Sequence, residues 1–499
     1  MKLDGHTLTP EGVEAVAQGR ARVVHGDESR ALMRAGAEWY ARKGEADILR
    51  SKWDWLIGGE PPADSAEVVR LFVVGHCAGV GEPLPVEEVR ALMLARANVL
   101  AAGWSGVRPE VVDRLLALLE RGWPPVVPGQ GAVGAAGSIQ LAHVAHVALG
   151  FGGELVIDGV REPAPPRIAT LPPLVPTEKE ALSLINGSSF TTALGALAVA
   201  RSRRVLRAAE AACALSMEVV RADAHALAAR PAEVRNHPGI AAASRRLREL
   251  VTGSELVTEQ RLPDSFSVRC APTVLGAARD ALDHIELTVV RELNGVGDNP
   301  MVFPGHGVVE GGHFHAAPVA LVMDFLKVAM VQVASIAERR VFRLTYGRLS
   351  GLPSFLVQGS GVNSGLMLAQ YTAASVLSEA KGLSMPASID CIPTVQHQED
   401  HVPMGPIAAR SALEVIDRVA DVVAIELLCA AQGLDFRMRG QAVGPAGDLV
   451  EVEPQQPGAG TRAVYDKVRL RVKRWDDDQV LHPDLVALGR AVREGVFDG

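Results

Sequence analysis

Apolar residues recur at helical spacing along most of the chain. Residues 192–228, 273–293, 316–345, 365–384 and 405–434 each carry such a pattern and end near Gly, Pro or Asn, so each is predicted to be a long helix. Residues 316–336 are apolar almost all round, which predicts a helix buried on every side in a bundle core. Strand signals are few and short. Leu155–Val160 fits a small hairpin turning at Asp158-Gly159. Loops are expected at 58–64, 161–177 and 440–461, the last of them mobile. No repeat of solenoid period is visible. Periodicity alone therefore gives an all-α protein and no more.

Composition narrows the class. At 499 residues the chain exceeds one compact core, so one large elongated domain or two lobes are expected. Hydrophobic residues at 48% and charged residues at 22% fit an ordinary globular protein. The net charge of -8, with no basic stripe carrying aromatics, argues against a nucleic acid partner. Lys2 is followed by no apolar run, so no signal peptide is expected. The apolar stretches 191–200 and 316–336 carry Gly, Pro or charge and read as short of a membrane span. A cytoplasmic protein without a membrane partner is expected. Cys77, Cys213, Cys270, Cys391 and Cys429 are scattered, which argues for free thiols.

The segment Gly131-Ala132-Val133-Gly134-Ala135-Ala136-Gly137 carries the most chemical information. It closely resembles the stretch in which histidine and aromatic amino acid ammonia-lyases build a methylidene-imidazolone. The resemblance runs along nearly the whole chain. It includes Leu3-Asp4-Gly5-His6, His76-Cys77-Ala78-Gly79-Val80-Gly81 and Gly103-Trp104-Ser105-Gly106. It continues through Leu184-Ile185-Asn186-Gly187, Asp298-Asn299-Pro300 and Gly311-Gly312-His313-Phe314-His315. It closes with Asn363-Ser364-Gly365, Ile392 to Gly405 and Gly460-Thr461-Arg462. The resemblance implies a mainly α fold, a long central helical bundle with a smaller N-terminal lobe. It also implies a homotetramer with sites assembled from several subunits. Residues 1–190 would form the N-terminal lobe, with a mobile loop at about 50–62 and the segment 131–137. Residues 191–499 would form the bundle and the C-terminal helices.

The same likeness assigns site residues. Arg269 matches the arginine that grips a substrate carboxylate, a task suited to a planar guanidinium fork; the alternative is a structural salt bridge. Asn186 matches a substrate-contacting asparagine, with a helix cap as its alternative. His76 matches the histidine beside the prosthetic group and is suited to proton transfer. Gln398 and Glu399 match a pocket pair, the glutamate a base if burial raises its pKa. Phe314 matches a pocket wall.

Several positions depart from the family. The related triplet is Ala-Ser-Gly; here it is Ala135-Ala136-Gly137, and a methyl has no leaving group. Ser138 stands where an aspartate is usual, and Phe266 replaces a site tyrosine. The loop tyrosine falls at or near Trp53, in Trp53-Asp54-Trp55. Neither an indole nor a phenyl ring moves protons as a phenol does. His313 and His397 stand where asparagine is common, and with His76, His315 and His401 they enrich the region in histidine. His397 and His401 have an i, i+4 spacing, but no metal and no cofactor are expected. His143 and His146 read as packed or capping residues.

These losses lead to the expectation of an enzyme that works without the prosthetic electrophile. It would use His76, Glu399 and His397 for acid–base chemistry on an amino acid-like carboxylate held by Arg269. Elimination, conjugate addition, isomerisation or cyclisation would suit it, in specialised metabolism, with Trp53 and Phe266 shaping the pocket. Two alternatives stand beside it. One is a catalytically inactive homologue serving as a binding or regulatory subunit. The other is a histidine or aromatic amino acid ammonia-lyase or aminomutase.

Overall fold

The structure is a computed structural model and describes residues 1–43, 49, 64–259, 264–359, 361–444 and 448–498. Trp53, Trp55 and nearly all of the expected loop at 58–64 lie outside the described residues. The chain divides into two compact units. The first comprises Met1–Ala200, Ile285–Asp324 and Pro386–Arg410; the second comprises Arg201–His284, Phe325–Met385 and Ser411–Gly499.

In the first unit, α1 (Pro10–Ala17), α2 (Asp27–Lys43), α3 (Ser65–Gly75) and α4 (Val86–Ala101) precede α5 (Pro109–Arg121), α6 (Ile139–Ala148) and α7 (Glu178–Ile185). Helix α4 is the hub, because from Val89 to Ala101 all but Arg90 are buried. Arg90 donates to the carbonyls of Val16, Ala17 and Leu119, which closes the open C-terminal ends of α1 and α5. Helix α7 starts at a capping box, Thr177 and Glu180 each bonding the other's backbone N–H. The hairpin forms where the sequence predicts it. Glu154–Ile157 pairs antiparallel with Val160–Pro163, and Asp158 (φ 50) and Gly159 (φ 80) supply the left-handed turn. The stretch 161–177 is more ordered than expected, since it also holds a short helix, Ala164–Ile168, started by prolines.

The long helices are α8 (Ser189–Val219), α9 (Pro238–Leu250), α10 (Ala271–Leu293), α11 (Ala317–Thr345), α12 (Met367–Leu383), α13 (Gly405–Met438) and α14 (Ala459–Arg469). Helices α8, α10, α11, α12 and α13 correspond to the helical segments read from the sequence, except that α8 stops at Val219 instead of residue 228; α9 and α14 lie outside those segments. The chain turns there through Arg221 at φ 56. The stretch 440–461 is likewise not all loop. Gln441–Val443 pairs with Leu449–Glu451, and α14 starts at Ala459. All the sheets are two-stranded ribbons among the described residues. The fold is thus mainly α, built around long helices.

Two corrections concern α11. By length and composition it could cross a membrane, contrary to the sequence expectation, but 72% of its apolar window is buried by the fold. It is also not buried on every side, because Leu321, Phe325 and Val328 are exposed along one stripe. No element among the described residues covers that stripe.

Within the second unit, α9 and α10 cross where Gly239 meets Gly276. A Cβ on Gly276 would overlap the Ile240 backbone. Arg340 and Glu426 form a fully buried bidentate pair at 2.5 and 2.8 Å, and Ser216 donates to the same carboxylate at 2.7 Å. Such a pair needs every lone pair satisfied to offset its desolvation.

Candidate functional site

A cavity of about 730 Å³ opens in the first unit, and all its lining residues belong to that unit. Its floor is the turn Ala135-Ala136-Gly137. Ala136 sits at φ 50, a region that favours glycine. The neighbouring loop holds that turn in place. Gly187 N–H donates to the Ala136 carbonyl at 3.0 Å, and Ser138 N–H donates to the Ile185 carbonyl at 2.7 Å. Ser138 precedes α6, but its buried hydroxyl makes no hydrogen bond among the described residues.

His76 caps the C-terminus of α3 and stands over the turn. Its Nδ1 donates to the Phe72 carbonyl at 2.7 Å, because a carbonyl can only accept. In the neutral ring that leaves the lone pair on Nε2. A Cβ on Gly137 would lie 3.2 Å from that nitrogen, so the glycine lets the imidazole approach closely. His76 Nε2 is therefore a proton acceptor directed at the turn.

The opposite wall comes from residues 395–401. Val395, Gln396 and His397 have φ of 45, 51 and 68. Three successive non-glycine residues in the left-handed region store strain, which is characteristic of binding segments. Gln398 and Glu399 line the cavity, and Glu399 Oε2 accepts from Thr394 Oγ1 at 2.5 Å. His315 and His401 also line it, with rings stacked 5.5 Å apart and His315 Nε2 3.2 Å from the His401 carbonyl. Phe314 lines the cavity and packs on the small cluster of Ala135, Val402 and Met404. Asn186 lines it too, as the C-cap of α7.

The remaining expected residues lie elsewhere. His397 is exposed and does not line the cavity, and neither does His313. Arg269 and Phe266 belong to the second unit. Both are exposed, with the guanidinium 5.5 Å from the phenyl centroid. Arg269 makes no salt bridge among the described residues. His143 accepts from Gly79 N–H at 3.4 Å, and burial followed by the nearby His146 lowers its pKa, a packed role. No group of metal-ligating side chains is present among the described residues.

Sequence reading missed Arg96, Lys179 and Asp298, all fully buried behind the cavity floor. One signal was present. Arg96 interrupts the apolar run Ala91 to Ala101 of α4, where an arginine needs a buried partner.

The methylidene-imidazolone implied by the resemblance does not fit the residues present. Its exocyclic carbon derives from a side chain that can lose a hydroxyl, and Ala136 has only a methyl.

The chain is similar to known proteins over its full extent. A family model described as aromatic amino acid lyase matches residues 59–470. The histidine ammonia-lyase of Symbiobacterium thermophilum is 42% identical, covering 99% of this chain and 97% of the relative. That of Caldanaerobacter subterraneus subsp. tengcongensis is 39% identical, covering 99% and 96%. Among solved structures, histidine ammonia-lyase from Trypanosoma cruzi is 34% identical with a TM-score of 0.89, over 99% of this chain and 94% of that one. Tyrosine aminomutase from Streptomyces globisporus is 32% identical with a TM-score of 0.91, over 100% and 97%.

These findings correct the functional expectation. Full-length relatives at about this identity are named histidine ammonia-lyase. That overturns the reading as an enzyme with prosthetic-group-free acid–base chemistry, and equally the reading as an inactive subunit.

Proposed function

The chain belongs to the aromatic amino acid lyase family, and from that premise we propose that it is an amino acid ammonia-lyase acting on L-histidine. The observation that carries this reading is the 42% identity to a histidine ammonia-lyase across 99% of the chain. The cavity supports it, because polar groups suited to an amino acid converge there on apolar walls.

Ammonia elimination breaks the Cα–N bond, removes a β-proton and leaves a carbon–carbon double bond. His76 Nε2 and the Glu399 carboxylate are the cavity groups able to take that proton. Gln398, Glu399, His315 and His401 offer partners for an imidazole, and Phe314 offers an apolar wall. Arg269 is proposed as the carboxylate anchor within an assembled homotetramer. The uncovered stripe Leu321, Phe325 and Val328 on α11 supports self-association. A cytoplasmic location is part of the proposal. Ala136 is the residue at odds with it, and no step is routed through a group built from that turn.

The test is ammonia release from L-histidine, L-phenylalanine and L-tyrosine, measured for the purified protein and for Ala136→Ser. Release from histidine in preference to the others supports the reading. Release by Ala136→Ser alone refutes the activity of the chain as it stands and leaves only a histidine-binding site. Release by neither protein from any of the three refutes it.

A further inference from the structure

Four apolar side chains of the cavity lining come from three separate elements. Leu71 and Phe72 lie on α3, Leu182 lies on α7, and Leu49 precedes α3 in the chain. Helices α3 and α7 pack together. Leu49 and Leu182 are buried, and Leu71 and Phe72 are partly so.

Glu178 links all three elements. It stands in the first turn of α7 and is fully buried. Its Oε2 accepts from the Leu49 N–H at 3.0 Å. Its Oε1 accepts from the hydroxyl of Ser65, the first residue of α3, at 3.1 Å. Burying a carboxylate is unfavourable; hydrogen bonds to both oxygens and the positive end of a helix offset that penalty. The capping box of Thr177 and Glu180 already closes the start of α7. Both of these Glu178 bonds reach outside its own helix, to the two other elements that carry the apolar lining.

We propose that Glu178 is a positioning residue that fixes this apolar wall and so limits the ring size of the amino acid the cavity accepts. A wall held rigid discriminates by shape, because an oversized ring must displace packed side chains. A wall free to shift gives way to the larger ring. The inference rests on the amino acid reading of the cavity given above.

The experiment compares Glu178→Gln with Glu178→Met in the full-length protein. Gln offers its oxygen to the Leu49 N–H and its NH2 to the Ser65 oxygen, which can accept. Met fills similar space but accepts only weakly. Two readouts are taken. The first is hydrogen–deuterium exchange of the Leu49 amide, which should be faster in Glu178→Met by about tenfold or more and much less altered in Glu178→Gln. The second is a binding ratio from calorimetry. Imidazol-4-ylglycine and indol-3-ylglycine have no β-hydrogen, cannot eliminate ammonia and differ in ring size. The wild type should favour the smaller ring by on the order of tenfold or more. Glu178→Gln should keep that ratio, and Glu178→Met should bring it towards one. A purely structural role would weaken both ligands alike and leave the ratio unchanged. If Glu178→Met does not fold, Ser65→Ala takes its place and should also lower the ratio. Unchanged exchange at Leu49 in Glu178→Met overturns the tether. Faster exchange with the wild-type ratio, or a folded Ser65→Ala with that ratio, overturns the role in ring size. If the wild type binds neither ligand, the amino acid reading itself falls, and the inference falls with it.

Discussion

Glu218 gives the sharpest test of the folded state. It lies near the end of α8, fully buried, and its Oε1 accepts from Gly458 N–H at 2.9 Å and Thr461 Oγ1 at 2.8 Å. It thereby ties down the start of α14. Its Oε2 has no hydrogen-bond partner among the described residues. Burial raises its pKa from 4.5 to about 7, opposed by hydrogen bonds from Gly458, Thr461 and Ser254. The unfolded chain titrates near the ordinary value, so between these limits the folded state holds a proton that the unfolded state has lost. Stability from this group is therefore fully present below about pH 4.5 and declines as pH rises through about 7. The shift corresponds to about 3 kcal/mol. Glu218→Gln keeps an acceptor for Gly458 and Thr461 but does not titrate. Hydrogen–deuterium exchange of the α14 amides, compared between the two proteins at each pH, cancels the intrinsic pH dependence. The wild type should lose protection relative to Glu218→Gln by about 3 kcal/mol between pH 5 and pH 8. Parallel protection curves across that range would refute the reasoning.

Other predictions follow from the same physics. Arg340→Met leaves the Glu426 carboxylate buried without its cation and should cost about 3 to 5 kcal/mol, read from urea unfolding. Val328→Lys puts a charge on the exposed apolar stripe of α11 and should shift sedimentation towards smaller species with little change in melting temperature. Glu399→Gln removes a cavity base without changing its size and should lower turnover of L-histidine by about two orders of magnitude or more. Binding of imidazol-4-ylglycine should persist, and unchanged turnover would remove Glu399 from the chemistry.

The helices were legible because their signal is local. Apolar spacing marks α10, α11, α12 and α13 to within a few residues, and Asp158-Gly159 marks its hairpin. The end of α8 was not legible, since no Gly or Pro stands at Val219 to stop it. Motif likeness also gathered His76, Asn186, Phe314, Gln398 and Glu399, which line one cavity although more than 300 residues separate the first from the last. The network behind that cavity was out of reach. Asp298 was visible only as part of a familiar tripeptide, and its partners Arg96 and Lys179 lie far away in sequence. Nothing local records that two cations share one carboxylate. The exposed stripe on α11 was missed for the opposite reason, because an all-apolar helix does not say which chain covers it.

The central claim is tested most directly by following L-histidine by NMR in the presence of the purified protein, with ammonia assayed in parallel. The account predicts loss of histidine with equal amounts of ammonia and the α,β-unsaturated acid from the wild type. Unchanged histidine and no ammonia with the wild type would contradict it.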